Sequence, residues 1–278
     1  MTRTNTDQDS ESAQPVLYSV ENAVARILLN RPEKRNALNA AVIAGIKDGL
    51  REAAKDERVR VIVISGAGKD FCSGADLSAL QKITQATVDE NAEDAKTLLD
   101  LFVLIRQIPV PVIAAVKGRA LAGGAGLATA CDIVLSSSSA RFGYPEVKIG
   151  FVAAMVMAIL RRNVSEKRAF ELLTRGAEIS ADQAREFGLV NEIYADESFD
   201  DDVARYVNDF QKLSRSAVSL TKTLLYQMDG LSFSAALETG ADVNVIARLT
   251  KDCQERVAKF LNKAGPDASS SQDAKASS

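Results

Sequence analysis

The sequence predicts a mixed α/β domain that ends in a run of helices. Three observations carry this. Up to about residue 198, strand-like runs alternate with segments of helical periodicity. Two of those runs, VRVIVISG (59–66) and PVIAAVKG (111–118), are continuously apolar and β-branched, as in strands covered on both faces. From Phe199 onwards the apolar residues recur at helical spacing.

The elements follow in order. Residues 16–30, VLYSVENAVARILLN, read as a hairpin with its turn at Glu21-Asn22 and alternation in AVARILLN. RPEKRNAL (31–38) is a basic loop. Asn39 is placed to cap a helix over about 40–55, with Val42, Ile43, Ile46 and Leu50 on its apolar face. The strand at 59–66 leads into a glycine-bearing loop, AGKDFCSGADL (67–77). Residues 78–108 hold a polar segment and then a helix whose face carries Leu98, Leu101, Phe102 and Ile105.

The next strand, 111–118, opens the stretch that organises the chain, GRALAGGAGLATACDIVLSSSSARFGYPE (118–146). A turn of small residues, Ala122 to Gly126, leads into a short helix, a further strand follows, and the stretch ends at Glu146. Asp132, at the start of that strand, reads as a structural cap rather than an acid. Residues 152–175 form two helices, the second starting near Ser165. SADQAREFG (180–188) opens with a capping box, Ser180 to Gln183, and stops at Gly188, before a short strand LVNEIY (189–194). Helices then fill 199–213, 214–229 and 232–263. The chain thus divides into a polar leader (1–15), a core (16–198), a C-terminal helical region (199–263) and a low-complexity tail (264–278). Small residues and valines in the helical region suit packing against another subunit.

Composition narrows the function. The chain has 278 residues, 46% hydrophobic and 26% charged, enough for one large core. A formal net charge of −3, 5% aromatics and no tryptophan give nucleic acid no basic face and few stacking platforms. No apolar run approaches the roughly 20 residues that span a bilayer. The leader MTRTNTDQDSESAQP has neither the apolar core of a secretory signal nor an Arg-rich amphipathic pattern, so a cytoplasmic location is expected. The three cysteines are widely spaced and odd in number, which disfavours a disulfide framework or a zinc site. Cys72 and Cys131 read as small buried hydrophobes.

There is no histidine. That removes Ser-His-Asp and Cys-His chemistry and the histidine-based metal sites. Proton transfer falls to Asp, Glu, Lys, Tyr or Cys, or to the substrate itself. A glycine turn opening a helix leaves backbone N–H groups without intrahelical partners, at the positive end of the dipole. Such a turn holds an anion: a phosphate, or a carbonyl oxygen that becomes negative during reaction. Glu146 is the leading acid–base partner.

Four ordered segments carry a resemblance to the crotonase superfamily, the enoyl-CoA hydratase/isomerase fold. They are LNRPEKRNALN, VRVIVISGAGKDFCSGADL, PVIAAVKGRALAGGAGLATACDI and ARFGYPEVKIGF, and AFELLTRGAEISADQAREFGLVNEI resembles the region that follows them. The resemblance covers about residues 16–263. It implies a crotonase (ClpP-like) spiral of ββα units, with a C-terminal helical region that builds homotrimers or hexamers. It also implies an acyl-CoA substrate, coenzyme A entering as part of that substrate and not as a separate cofactor. The family's two oxyanion donors match the N–H groups of Ala75 and Gly123, and its proton-transfer carboxylate matches Glu146. Ser73, Gly74, Asp76, Leu77, Gly124, Gly126 and Tyr144 fall along the implied substrate path, although core packing is the favoured reading for Tyr144. Lys34 and Arg35 match a loop that can meet CoA phosphates, and Phe260 and Lys263 match positions that line the CoA site of a neighbouring subunit.

Two departures matter. Typical hydratases carry a glutamate at the position of Gly126, and here Glu146 stands without it. FVAAMVMAIL (151–160) replaces a glycine-rich run, although a backbone N–H near Ala154 could still face the site. No acidic residue stands eight positions after Glu146, which disfavours dienoyl-CoA isomerase and aryl-CoA dehalogenase chemistry. Hydration of a short or branched 2-enoyl-CoA, of the methylglutaconyl-CoA type, is the favoured expectation. In that branch a substrate carboxylate would stand in for the missing glutamate. A Δ3-Δ2 enoyl-CoA isomerase using Glu146 alone follows closely, and a catalytically weak acyl-CoA binder is the third reading.

Overall fold

The computed structural model describes residues 14–76, 81–83 and 85–264. Most of the leader and the tail from 265 onwards therefore lie outside the described residues. β1 (Val16–Glu21) and β2 (Val24–Leu29) form the antiparallel hairpin. Its turn sits one residue later than expected, at Asn22-Ala23, both at positive φ (48° and 64°). That geometry matches the twist of the paired strands, and Asn tolerates it better than Ala does.

β2 pairs in parallel with β3 (Val61–Gly66), β3 with β4 (Val112–Val116), β4 with β6 (Ile133–Ser137), and β6 with β9 (Glu192–Tyr194). The result is a six-stranded sheet in the order β1-β2-β3-β4-β6-β9. Alternate side chains serve two apolar layers, which is why β3 and β4 read as unbroken hydrophobic runs. Ile27, Leu29, Ile62, Ile64, Val112, Ala114 and Val116 join the larger core. That core includes faces of α1 (Ala40–Lys55) and α2 (Val88–Gln107). Val24, Val61, Val63, Ile113, Ala115 and Leu135 form the other layer with Phe199, Val203 and Val207 of α7 (Phe199–Asn208).

A second sheet of three-residue strands was not legible in the sequence. β5 (Arg119–Leu121), β7 (Arg141–Gly143) and β8 (Glu178–Ser180) pair in that order. Between them run α3 (Gly123–Ala130), α4 (Ala154–Asn163) and α5 (Glu166–Arg175), and α6 (Ala181–Phe187) follows β8. Strands this short carry no periodicity, and their pairing comes from long-range contacts.

The C-terminal region holds α8 (Arg215–Gln227), α9 (Phe233–Leu249) and α10 (Lys251–Ala264). The single helix expected over 232–263 is two helices. Thr250 is extended (φ −69°, ψ 138°) and its Oγ1 accepts from Cys253 N at 3.3 Å, so it ends one helix and caps the next. Asp132 is the structural cap it was read to be, and more. Its carboxylate accepts from Val112 N (2.7 Å) and the Tyr226 hydroxyl (2.6 Å) and pairs with Lys222 Nζ (2.7 Å). Lys222 also donates to the carbonyls of Ile105 and Val110, which locks α8 onto α2 and the sheet.

Candidate active site

The first half of the site is the loop after β3. Leu38 and Ala75 form an isolated parallel bridge, in which Leu38 N donates to Gly74 O (2.7 Å) and Asp76 N donates to Leu38 O (2.9 Å). A parallel bridge uses the flanking peptide groups of the residue it centres on. The N–H of Ala75 itself has no protein acceptor among the described residues. Gly74 is at φ +95°, and a Cβ on it would stand 2.7 Å from Ala122 Cβ and 3.5 Å from Gly123 N. Only glycine lets the loop seat so closely on the turn that opens α3.

The basic loop buckles this segment in place. Arg31 pairs with Asp76 at 2.8 Å and donates to Ala37 O, and the buried Asn36 donates to the carbonyls of Ala67 and Asp70. Asp76, expected as a substrate contact, is therefore a buried tether for Arg31. Ser73 is held through its N–H on Arg35 O (3.0 Å), and the side chains of Lys34 and Arg35 are exposed beside it. Leu77 lies outside the described residues.

The second half is the turn between β5 and α3. Leu121 N donates to Cys72 O (2.9 Å) and Ala122 N to Gly143 O (2.8 Å), so the turn is fixed from both sides. Ala122 sits at φ 49°, ψ −126°, a conformation that strains any residue with a Cβ. Gly123 is the first residue of α3. Its N–H has no protein acceptor among the described residues, and it is half-buried while Gly124 to Ala130 are buried. The helix thus presents its positive end, with a free donor, at its one accessible residue.

Gly124 and Gly126, expected along the substrate path, face protein instead. A Cβ on Gly124 would lie 2.3 Å from Cys72 O. A Cβ on Gly126 would lie 2.6 Å from Val156 Cγ2 and 3.3 Å from Phe102 Cζ. Cys72 is a buried hydrophobe as read, its thiol pushed up to about 12 by burial.

Glu146 lies in a 3₁₀ turn (Pro145–Ile149) after β7, beside α3. The link is Tyr144, whose buried hydroxyl meets Thr129 Oγ1 of α3 at 2.8 Å. Thr129 gives its own hydrogen to Ala125 O (2.7 Å), so Tyr144 donates to Thr129. The hydroxyl is therefore engaged in the core, in line with the core-packing reading of Tyr144 and not with a substrate contact. Glu146 differs. Its Oε2 is buried with no hydrogen-bond partner, and burial raises its pKa above the ordinary glutamate value, its own backbone N–H opposing. A half-buried carboxylate with a free oxygen and a raised pKa is fitted to take and return a proton.

The remaining expected contacts are the Ala154 N–H, Phe260 and Lys263. Ala154 N donates to Val152 O (2.8 Å), so that N–H is not free to face the site. Phe260 is 72% exposed on α10, and the Lys263 side chain lies outside the described residues. Sequence reasoning missed Arg31, Asn36 and Thr129 as site-building residues. The first two sit inside the RPEKRNAL segment, where only Lys34 and Arg35 had been singled out.

The enoyl-CoA hydratase/isomerase family model matches residues 19–270. The chain belongs to this family. A relative from Thermus thermophilus, provisionally named an enoyl-CoA hydratase, is 39% identical over 243 residues, covering 87% of this chain and 96% of its own. Enoyl-CoA hydratase domain-containing protein 3 of Rattus norvegicus, named as mitochondrial, is 32% identical over 91% of this chain and 85% of its own. Among solved structures, an enoyl-CoA hydratase from Mycobacterium smegmatis superposes with a TM-score of 0.85 at 31% identity, covering 90% of this chain and 96% of that one. The crotonase fold expected from the sequence is therefore the fold of this protein.

Proposed function

We propose that this protein forms the enolate of an acyl-CoA thioester and that Glu146 moves the proton. The observation that carries this is the pairing of two free backbone donors, Ala75 N–H and Gly123 N–H, with one buried carboxylate oxygen that has no partner. The donors meet the thioester oxygen as it becomes negative, and they are already in place before reaction. The carboxylate removes the proton at C2.

With one carboxylate, the reaction the geometry supports best is migration of a double bond from a 3-enoyl-CoA to the 2-enoyl-CoA. Glu146 takes a C2 proton, the electron pair enters the dienolate, and the same group returns a proton at C4. Hydration, ranked first from the sequence, is the second reading, favoured by the names of the relatives. A methylglutaconyl-type substrate stays part of the hydration reading; a Cβ at Gly126 itself would meet Val156 and Phe102.

The test is parallel assay of a 3-enoyl-CoA and a 2-enoyl-CoA, with Glu146→Gln beside the parent. Loss of turnover by about 10²–10⁴-fold is expected. Full activity in the variant sinks the assignment, and tight acyl-CoA binding without turnover in the parent favours the weak-binder reading.

A homo-oligomer belongs to the same proposal. Phe233 (80%), Leu237 (60%) and Leu249 (71%) are exposed on α9, and Leu237 lines a groove with Gly240, Ala241 and Val245. Large apolar side chains exposed along one helix suit a second copy. Sedimentation of the full chain as a monomer at micromolar concentration would refute it. The cytoplasmic location is likewise retained as part of this reading; no described helix is long and apolar enough to cross a membrane.

A further inference from the structure

We infer that Val156 and Phe102 set the outcome of the reaction by keeping water out of the space along α3 beyond the Gly123 donor. The inference rests on the enolate chemistry proposed above and names the residues that direct it.

Gly123 and Gly126 are three residues apart on α3, so they lie one turn apart on the same side of the helix. At Gly126 that side is hydrocarbon. The absent Cβ would sit 2.6 Å from Val156 Cγ2 and 3.3 Å from Phe102 Cζ, closer than side chains pack without movement. At Gly123 the absent Cβ would be 3.3 Å from Leu38 Cδ1. Val156 and Phe102 are each 4% exposed, so this wall is closed in the protein itself.

The wall is also braced. Val156 stands in the first turn of α4, which packs along α3. Phe102 stands on α2, where Lys222 Nζ holds the carbonyl of Ile105 one turn later, at 2.8 Å.

An ordered water needs two to four polar partners. Along this wall the donors that could hold one are engaged: Tyr144 donates to Thr129, Thr129 to Ala125 O, and Ala154 N–H to Val152 O. Of the side chains named here, Glu146 keeps an oxygen, Oε2, without a partner. Water addition across C2=C3 breaks an O–H bond, joins the oxygen to C3 and places the proton on C2. It requires the water to be held and aimed while that proton leaves. Double-bond migration needs only the carboxylate and the enolate. A hydrocarbon wall therefore selects migration over hydration.

The test measures product ratio. The parent, Val156→Thr and Phe102→Leu are each incubated with 3-hexenoyl-CoA and with 2-hexenoyl-CoA in ¹⁸O-labelled water. Mass spectrometry then gives the ratio of labelled 3-hydroxyacyl-CoA to isomer. Val156→Thr keeps the shape of the side chain and adds a hydroxyl that can hold a water; Phe102→Leu opens the wall without adding polarity. A parent ratio far below one, rising at least tenfold in Val156→Thr, is the expected result, and Phe102→Leu gives the same direction should the first variant fail to fold. A parent that hydrates as fast as it isomerises overturns the inference. So does an unchanged ratio in the folded variants. Isomer formation is read separately on the parent: isomer formed without a change in ratio in the folded variants discards the wall and keeps the enolate chemistry, whereas neither isomer nor C2 exchange in deuterated water discards both.

Discussion

Replacing Lys222 by methionine should cost about 3–4 kcal/mol of stability. The estimate follows from what the ammonium touches. It pairs with Asp132 at 2.7 Å and donates to Ile105 O at 2.8 Å and Val110 O at 3.0 Å. Its side chain is 6% exposed and that of Asp132 is 14% exposed. Burial pushes the ammonium below the ordinary lysine value, with Asp132 opposing, so the group is held charged only by its partners. Methionine fills the channel but leaves a buried carboxylate without a countercharge and two carbonyls without a donor. Removing one partner of a buried pair costs roughly 3–5 kcal/mol. The two donors that Asp132 retains, Val112 N–H and the Tyr226 hydroxyl, and the added hydrocarbon of methionine, put the loss toward the lower end. Urea unfolding at fixed protomer concentration measures it as a lower midpoint at constant slope. The double variant Lys222→Met with Asp132→Asn removes the stranded charge and should recover about 1–2 kcal/mol of the loss. Arg51→Ala, which breaks the pair with Asp48 whose side chains are 51% and 72% exposed, should change stability by less than about 0.5 kcal/mol. A Lys222→Met loss below about 1 kcal/mol, or a double variant no better than the single, would refute the reasoning.

Two further outcomes follow from Glu146 and Ala122. Burial raises the Glu146 pKa from its ordinary 4.5, so kcat/KM should fall on the acid side with a midpoint above that value. The same shift has a stability sign. Below the ordinary value the group is protonated both folded and unfolded and contributes nothing. As pH rises between the ordinary and the raised value, the unfolded chain ionises first and the folded protein loses stability. Glu146→Gln should therefore melt higher than the parent at neutral pH, by about 2 °C, with the gain fading near pH 4; a variant that melts lower at neutral pH contradicts this. Ala122→Gly should stabilise the protein by about 0.5–1 kcal/mol, because relief of a positive φ, worth roughly 1–2 kcal/mol, outweighs the extra unfolded-state freedom of glycine. Calorimetry showing a lower melting temperature would count against strain at that turn.

Local chemistry made much of the fold readable. Asn39 caps α1 through Val42 N at 2.9 Å, and Ser180 and Gln183 make their reciprocal capping box, because caps depend on residues three positions apart. β3 and β4 were readable because a strand covered on both faces must be apolar throughout. What stayed hidden was set at long range. β5, β7 and β8 are too short for a pattern, and they hold Gly143 against Ala122 and so bring the Glu146 segment to α3. Thr250 breaks a continuous helical periodicity because its own hydroxyl caps the next helix, a choice that the apolar spacing does not record.

The sequence by itself determined the α/β class and the family resemblance. It also determined that, without histidine, proton transfer had to fall to a group such as Glu146. Tertiary structure decided which polar groups are left over to act. Tyr144, Asp76 and Ala154 N–H carry the right atoms, and each is consumed by a partner distant in the chain or by a local turn. Ala75 N–H, Gly123 N–H and Glu146 Oε2 remain unpaired. The same holds for Gly126. In the sequence it is a missing carboxylate, and in the fold it is the point where α3, α4 and α2 meet, filled by Val156 and Phe102. Donor and acceptor inventories are written in residue identities, but which of them are satisfied depends on packing between segments that only the folded chain brings into contact.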